Sequence, residues 1–160
     1  MDDLLIRREL IRFHSRQTSV EGIFREAYET LLEKGYVRET YLEALLAREA
    51  AHPTALALEN INIAIPHADP AYVKKGGIMA VALEKPVIFH HMMDSSEVEV
   101  EYVFFLILTN GSSHLEALSR LMSVMQKKEA VERIRGCGSE DELYKILVEL
   151  MGEGRETQIR

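Results

Sequence analysis

The sequence has one cysteine and no tryptophan among its 160 residues. A single cysteine excludes a disulfide within the chain and is typical of a protein in a reducing compartment. No apolar run approaches the ~20 residues that a membrane-spanning helix needs. The start, MDDLLIRREL, lacks the charged and then apolar layout of a secretory signal peptide. We therefore expect a cytoplasmic protein that does not insert into the membrane.

A surplus of positive charge is also missing. The chain carries 19 lysines and arginines against 26 aspartates and glutamates, which gives a formal net charge of -7. Proteins that bind nucleic acid need lysine and arginine to displace counterions from phosphates, so this balance argues against a nucleic-acid partner. A basic protein partner suits an acidic surface better.

Repeats and internal linkers are absent as well. A chain of 160 residues, of which 47% are hydrophobic, has the size and composition of one globular domain. We predict a single domain over residues 1–151. The remaining residues, 152–160, are polar and are predicted to form a frayed tail.

The first third of the chain predicts one strand followed by two helices. Residues 4–11 alternate mildly between apolar and polar side chains, which indicates an edge strand. A helix is expected to begin at Thr18, which forms a capping box with Glu21, and to end at Gly35. A second helix follows almost at once, over residues 39–51.

From Thr54 onward the pattern changes to short apolar runs that predict the sheet. These runs are NIAI, GGIMAVAL, PVIF and VEYVFFLIL. Helical periodicity then returns and predicts three helices. The first carries Leu115, Leu118, Leu121, Met122 and Met125 on one face, the second is short and runs through Ile134, and the third runs from Ser139 to Met151. A second capping box, of Ser139 and Glu142, begins the third helix. Helices on both sides of a central sheet predict an α/β fold, or α+β in stricter usage, with three layers (α/β/α) around a mixed sheet. The approximate order is β-α-α-β-β-β-α-α-α.

One histidine follows a proline at the end of an apolar run, in the stretch INIAIPHADP (Ile61–Pro70). Pro66 lacks the N–H that would continue strand pairing, so the strand is expected to end there. His67 then lies at the carboxyl end of a strand, where open α/β sheets gather their ligands, on a stiff backbone that fixes a reactive group. The alternative is a half-buried histidine that caps the strand through one ring nitrogen, which is the commoner case for an isolated proline-histidine pair.

Four other side chains are candidates for the same site. His114 falls in the first turn of a helix that Ser113 is predicted to cap, where unpaired amides and the helix dipole favour a phosphate. It is equally a common polar first-turn residue with no ligand. Arg48 lies near the end of the second helix, where the dipole favours a cation even without a ligand. The hydroxyl of Thr54 can donate to an anion or close a turn, and Asp69 can orient the imidazole or begin a turn.

Other chemistries find less support. His90, His91 and Asp94 resemble a metal cluster, but adjacent strand residues point to opposite faces, so we interpret them as a strand end. Cys137 precedes GSEDEL, whose carboxylates repel phosphate and raise the pKa of a thiol, so it is interpreted as a loop cysteine. No G-x-S-x-G motif supports a serine hydrolase. A glycine-rich phosphate loop is also missing.

Taken together, His67, His114, Arg48 and Thr54 form a recognisable set. The chain resembles the enzyme IIA domains of the bacterial phosphoenolpyruvate-dependent sugar phosphotransferase system, in the fructose and mannitol superfamily. The stretches LLAREAAHPTALALENINIAIPHAD and SSHLEALSRLM carry the resemblance. Within the superfamily, EKGYVRETYLEALLARE, LEKPVIFHHM and VEVEYVFFLIL are similar to the galactitol-type branch.

The resemblance implies a phosphocarrier. His67 would accept a phosphoryl group from phosphorylated HPr and pass it to a thiolate of a cognate IIB domain, which acts with a membrane IIC permease for galactitol or a related polyol or sugar. His114 would stabilise the phosphate, Arg48 would contact the phosphate or a partner, and Thr54 would supply a hydrogen bond. No metal, nucleotide or other cofactor is implied. The alternative is a regulatory IIA-like protein, in which the charge on phosphorylated His67 controls binding to other proteins.

Overall fold

The computed structural model describes the backbone of residues 6–159 and the side chains of all of these except 111–114 and 153–159. Within these residues the chain forms five strands, five α-helices and one short 3-10 helix. In chain order they are β1 (Ile6–Ser15), α1 (Val20–Glu33), α2 (Tyr41–Ala51), β2 (Ala55–Ala57), β3 (Asn62–Ala64), the 3-10 helix (Pro70–Tyr72), β4 (Gly77–His90), β5 (Glu97–Ile107), α3 (Gly111–Met125), α4 (Lys128–Arg135) and α5 (Glu140–Ile159).

The five strands form one mixed sheet in the order β1-β4-β5-β3-β2. β1 runs parallel to β4 and β3 runs parallel to β5, whereas β4 pairs with β5, and β2 with β3, in antiparallel fashion. The predicted mixed sheet is confirmed, and β1 is indeed an edge strand. Because β3 and β5 are parallel, their carboxyl ends meet at the same edge of the sheet.

The strands differ from the predicted apolar runs in two places. GGIMAVAL and PVIF are one strand, β4, since Pro86 lies at an irregular register between Ala82 and Val87, where no ladder hydrogen bond is required of it. The three-residue strand β2 was not predicted. It is too short to show periodicity, and its strand conformation depends on pairing with β3.

The sheet separates two hydrophobic cores, which gives the predicted three layers. Successive residues of β5 enter different cores: Phe104 packs with residues of α3, α4 and α5, and Phe105 packs with residues of α1 and α2. Phe24 of α1 meets the Phe105 ring edge-on, with the ring centroids 5.5 Å apart. Burial on both faces explains why the second half of this strand, from Val103 to Ile107, is continuously apolar.

The first helix begins one residue later than its capping box predicts. Ser19, not Thr18, is the N-cap, and its hydroxyl accepts a hydrogen bond from the N–H of Gly22 at 3.0 Å. The predicted end is confirmed, because Gly35 follows the helix with a φ of 80°. Only glycine adopts this left-handed conformation without a steric cost.

The second capping box is confirmed at the start of α5. The N–H of Glu142 donates to the hydroxyl of Ser139 at 3.2 Å, and the Glu142 carboxylate accepts from the N–H of Gly138 at 2.8 Å. The helix does not end at Met151 as predicted but continues through Ile159. The division into a domain over 1–151 and a separate tail stays a prediction.

Among the helices within residues 6–159, none combines the length and the apolar composition that crossing a membrane requires.

Candidate functional site

His67 lies just past the carboxyl end of β3. The N–H of Ile65 donates to the carbonyl oxygen of Thr54 at 3.2 Å, and the carbonyl oxygen of Pro66 accepts from the N–H of Leu106 at 3.0 Å. These bonds hold the chain on both sides as it leaves the sheet. They also place His67 beside the end of β5, as the position of Pro66 predicts.

The imidazole of His67 is held by the backbone two residues earlier. Its Nδ1 lies 3.0 Å from the carbonyl oxygen of Ile65. Since a carbonyl oxygen only accepts hydrogen bonds, this contact selects the tautomer with the proton on Nδ1 and leaves the ring's lone pair on Nε2. A strand cap would use the same bond, so the surroundings of the ring must distinguish a reactive histidine from a structural one.

A surface cleft of about 400 Å³ adjoins the ring. Three segments build it: the end of α2 with the turn into β2, the loop after β3, and the turn between β4 and β5. Its lining residues are Arg48, Ala51, His52, Pro53, Thr54, His67, Met92 and Ser95. Among the described side chains that line the cleft there is no carboxylate, although the chain as a whole carries a net charge of -7. The cleft is therefore a locally basic place on an acidic protein, which suits an anion.

Arg48 is brought to this cleft by the last turn of α2. Its side chain is exposed, and within the described part of the chain its guanidinium makes no hydrogen bond or ion pair. It does attract the neighbouring carboxylate of Glu49. The predicted grouping of Arg48 with His67 is thus seen, and an anion in the cleft would find this cation available.

Thr54 is buried at the floor of the turn and is bonded to Glu49. Its hydroxyl lies 2.9 Å from Oε1 of Glu49, and its N–H donates to Oε2 at 3.0 Å. A hydroxyl has one proton to donate, so Thr54 does not offer it to an anion while this bond stands. Of the two predicted roles, the geometry favours closing the turn.

The carboxylate of Glu49 is itself in an unusual environment. Burial raises its pKa, while the hydrogen bonds from Thr54 and the attraction of Arg48 and His90 oppose the shift. The N–H and the hydroxyl of Thr54 both donate to this carboxylate, which offsets part of the cost of burying it.

His114 lies outside the residues whose side chains the structure describes, so its predicted role stays a prediction. The backbone does show where the helix that carries His114 begins. β5 ends at Ile107 and α3 begins at Gly111, earlier than the predicted cap at Ser113. The first amides of α3 therefore lie at the sheet edge where His67 leaves β3, and such amides attract anions.

Asp69 begins a turn. Its carboxylate accepts a hydrogen bond from the N–H of Ala71 at 2.9 Å and caps the 3-10 helix that Pro70 opens. Of the two interpretations that the sequence allows, this geometry matches the turn, since the Nδ1 of His67 is met by a backbone carbonyl.

The two adjacent histidines at the end of β4, His90 in the strand and His91 just after it, have different surroundings. His90 lies with Glu49 in a second cleft, whereas the Nδ1 of His91 accepts a hydrogen bond from the N–H of Met93 at 3.0 Å. Among the residues that the structure describes, no three histidine, cysteine, aspartate or glutamate side chains are grouped so that they could hold a metal ion.

Five residues that line the cleft were not predicted as site residues: Ala51, His52, Pro53, Met92 and Ser95. His52 had a signal, since it precedes Pro53 within the stretch that carries the family resemblance. Met92 and Ser95 had none, because they reach the cleft only through the fold of the β4–β5 hairpin. Its tip lies against β2, where the N–H of Met92 donates to the carbonyl oxygen of Ala55 at 2.8 Å.

With this geometry in place, the likeness to known proteins is decisive. Residues 4–150 match the model of the family described as phosphoenolpyruvate-dependent sugar phosphotransferase system, EIIA 2. The chain belongs to this EIIA family. The resemblance noted in the sequence is confirmed, and membership supports a phosphocarrier role in a sugar phosphotransferase system.

Individual EIIA relatives differ in the system to which they belong. The galactitol-specific EIIA component of Escherichia coli K12 is 36% identical over 104 residues, which cover 65% of this chain and 69% of that protein. The mannitol-specific enzyme IIA component of Geobacillus stearothermophilus is 28% identical over 149 residues, which cover 91% of this chain and 97% of that protein.

Solved structures show the same EIIA fold. In the complex of enzyme IIAMTL with phosphorylated enzyme IIBMTL from Escherichia coli, the matching chain has a TM-score of 0.71 and 26% identity, covering 91% of this chain and 95% of that one. The nitrogen regulatory protein IIA-Ntr of Neisseria meningitidis has a TM-score of 0.70 and 26% identity, covering 89% of this chain and 96% of that one.

The cysteine of this EIIA protein is a poor nucleophile. Cys137 follows α4, partly buried, and burial raises its pKa, with the carboxylate of Glu142 adding to the shift and Arg133 opposing it. The predicted direction of the pKa shift is confirmed. Since only the thiolate reacts, a raised pKa lowers its reactivity at neutral pH.

We expect Cys137 to be alkylated by iodoacetamide more slowly than a cysteine in a short peptide at about pH 8, near the pKa of a free thiol. Glu142→Gln removes a negative charge and lowers the thiol pKa, so the rate should rise, though burial keeps it below the peptide rate. Intact mass against time measures both rates. Glu129→Gln on α4 is the matched control, and equal rates for the two variants would contradict the electrostatic explanation.

Proposed function

We propose that this EIIA protein is a cytoplasmic phosphocarrier that accepts a phosphoryl group on His67 from phosphorylated HPr and passes it to a cognate IIB domain. One observation carries the proposal. The Nδ1 of His67 is held by the carbonyl oxygen of Ile65 at 3.0 Å, beside a cleft that Arg48 and His52 line and whose described lining residues include no carboxylate. This arrangement presents an imidazole in one tautomer to an incoming anion.

The chemistry balances without an additional acid or base. The lone pair on Nε2 of His67 attacks the phosphorus, the new N–P bond forms, and the N–P bond of the donor histidine breaks with its electron pair returning to the donor ring. The proton on Nδ1 stays in place and keeps its bond to Ile65. In the second step a IIB thiolate attacks the phosphorus, and His67 leaves as the neutral imidazole with which it began.

Electrostatics supplies what the transfer still needs. Phosphoryl transfer has a loose transition state with negative charge spread over the oxygens, so positioning and positive charge matter more than covalent catalysis. Arg48 provides a cation at the cleft. We propose that the first amides of α3 and the side chain of His114 contribute on the other side.

The partners are proposed from the relatives. The Escherichia coli chain that shares this fold is in complex with phosphorylated enzyme IIBMTL, which supports a IIB domain as acceptor. The 36% identity to a galactitol-specific component supports galactitol, or a related polyol or sugar, as the transported compound. A membrane IIC permease would complete the system.

The direct test is transfer in both directions. The chain is incubated with phosphoenolpyruvate, enzyme I and HPr, and its intact mass is followed at neutral pH. We expect the uptake of one acid-labile phosphate, followed by its loss when the IIB domain of a galactitol system is added. No uptake from an HPr that phosphorylates another EIIA protein in parallel would refute the proposal.

The likeness to the nitrogen regulatory protein IIA-Ntr favours one alternative, a regulatory role, since its TM-score nearly equals that of the mannitol relative. Here phosphorylated and unphosphorylated His67 would bind different proteins. The same experiment separates the two functions. A regulator accepts phosphate from HPr but does not pass it to the IIB domains of galactitol, mannitol or fructose systems.

A further inference from the structure

We propose that Glu49 is a positioning residue for His67 and acts on it through the backbones of Thr54 and Ile65. The carboxylate does not line the cleft next to His67. It is connected to the imidazole by a continuous series of hydrogen bonds. The kinetic consequence rests on the proposed function, whereas the structural consequence can be measured on the protein alone.

The first link joins Glu49 to Thr54. Oε1 and Oε2 of Glu49 lie 2.9 and 3.2 Å from the hydroxyl of Thr54, and Oε2 also accepts its N–H at 3.0 Å. Thr54 is only 3% exposed. Both polar hydrogens of one buried residue are therefore tied to a single carboxylate at the end of α2, which fixes the turn that leads from the helix into β2.

The second link joins Thr54 to the chain that carries the histidine. The carbonyl oxygen of Thr54 accepts the N–H of Ile65 at 3.2 Å, in continuation of the pairing between β2 and β3. Ile65 is buried, with an exposure of 1%. The third link is the contact between the Ile65 carbonyl oxygen and Nδ1 of His67 at 3.0 Å. Ile65 is thus held through its N–H and holds the imidazole through its carbonyl.

The free-energy cost of burying the Glu49 carboxylate indicates that its contact with Thr54 is not incidental. Burial raises the pKa of Glu49, so its charged form is less stable here than in water. The surrounding groups are Arg48 on its own helix, His90 from β4 and Glu21 from α1. A neutral residue would avoid the cost of burial but cannot accept two hydrogen bonds from Thr54 with comparable strength.

The test compares Thr54→Val with Thr54→Ser. Valine has nearly the shape of threonine but no hydroxyl, whereas serine keeps the hydroxyl that bonds to Glu49. With the histidines labelled with ¹⁵N, the ring nitrogen shifts report how often the proton of neutral His67 is on Nδ1. We expect Thr54→Val to shift this population toward the Nε2–H tautomer, and Thr54→Ser to retain the population of the unmodified protein.

The rate of phosphate uptake from HPr provides the kinetic readout. We expect Thr54→Val to take up phosphate roughly 10-fold more slowly. A displacement of a reacting group by ~1 Å lowers the rate about 100-fold, and we expect the imidazole of His67 to be displaced by less than that. Thr54→Ser should restore the rate. Glu49→Gln, which keeps the size of the side chain but loses one acceptor oxygen, is the second variant and should change the tautomer population in the same direction.

The possible outcomes separate the two proposals. Unchanged tautomer populations in folded Thr54→Val and Glu49→Gln proteins would overturn the positioning role, whatever the rates. A shifted population supports that role even if the unmodified protein accepts no phosphate. In that case the proposed function fails and the inference about Glu49 stands.

Discussion

We expect the His67→Asn variant to accept no phosphate from phosphorylated HPr. The amide nitrogen of asparagine takes nearly the place of Nδ1 and can donate to the carbonyl oxygen of Ile65, which in the native chain lies 3.0 Å from Nδ1. The substitution therefore keeps the contact that orders the loop and removes Nε2. Because an amide nitrogen has no available lone pair, transfer should stop completely while the fold is retained.

The matched control makes the same change at a remote imidazole. His14 is exposed on β1, does not line the cleft, and has a φ of 73°, a conformation that asparagine tolerates well. His14→Asn should accept phosphate at the rate of the unmodified protein. An acid-labile phosphate on His67→Asn would show that another histidine is the acceptor, and the proposed chemistry would then be wrong.

The second large effect is expected at Arg48. Removal of a positioned donor for developing negative charge commonly costs 10²–10³-fold, and we expect roughly 10- to 100-fold for Arg48→Ala because this arginine is exposed. Arg48→Lys keeps the charge but loses the bidentate hydrogen bonding of the guanidinium, so it should restore only part of the rate. The initial rate of phosphate uptake at low and high salt measures this effect, and salt should reduce the difference between the variants.

Arg25 provides the control for charge alone. It is exposed on α1, where it pairs with Glu21 at 3.2 Å, and it does not line the cleft. Arg25→Ala changes the net charge by the same amount as Arg48→Ala. If the two variants lost rate equally, the effect would reflect the overall field of the protein, and the local role of Arg48 would be contradicted.

The sequence predicts most of the fold because long periodic segments carry strong signals. The second helix and the apolar strand β5 are examples. The errors occur where tertiary context decides. Ser19 and Thr18 are both good caps, and only the path of the chain selects Ser19. Strand β2 depends on its neighbour, and the position of Pro86 inside β4 is acceptable only because the register is irregular there.

The candidate site was also predictable only where local sequence decides the structure. Pro66 predicts where the strand ends and therefore where His67 lies. The partner of the Nδ1 atom could not be predicted, since it is the backbone carbonyl of Ile65 and any residue supplies one. The bond between Thr54 and Glu49 spans five residues but requires the turn to be closed. Met92 enters the cleft from a hairpin that is distant in sequence.

The two edges of the sheet affect how readily the protein aggregates in a crowded cell. An exposed edge strand offers unpaired backbone groups to other chains and so promotes aggregation. On one edge, the tip of the β4–β5 hairpin covers β2, where Met92 bonds to Ala55. On the other, β1 carries the charged side chains Arg7, Arg8 and Arg12. We expect these two features to protect this EIIA protein against self-association through the edges of its sheet.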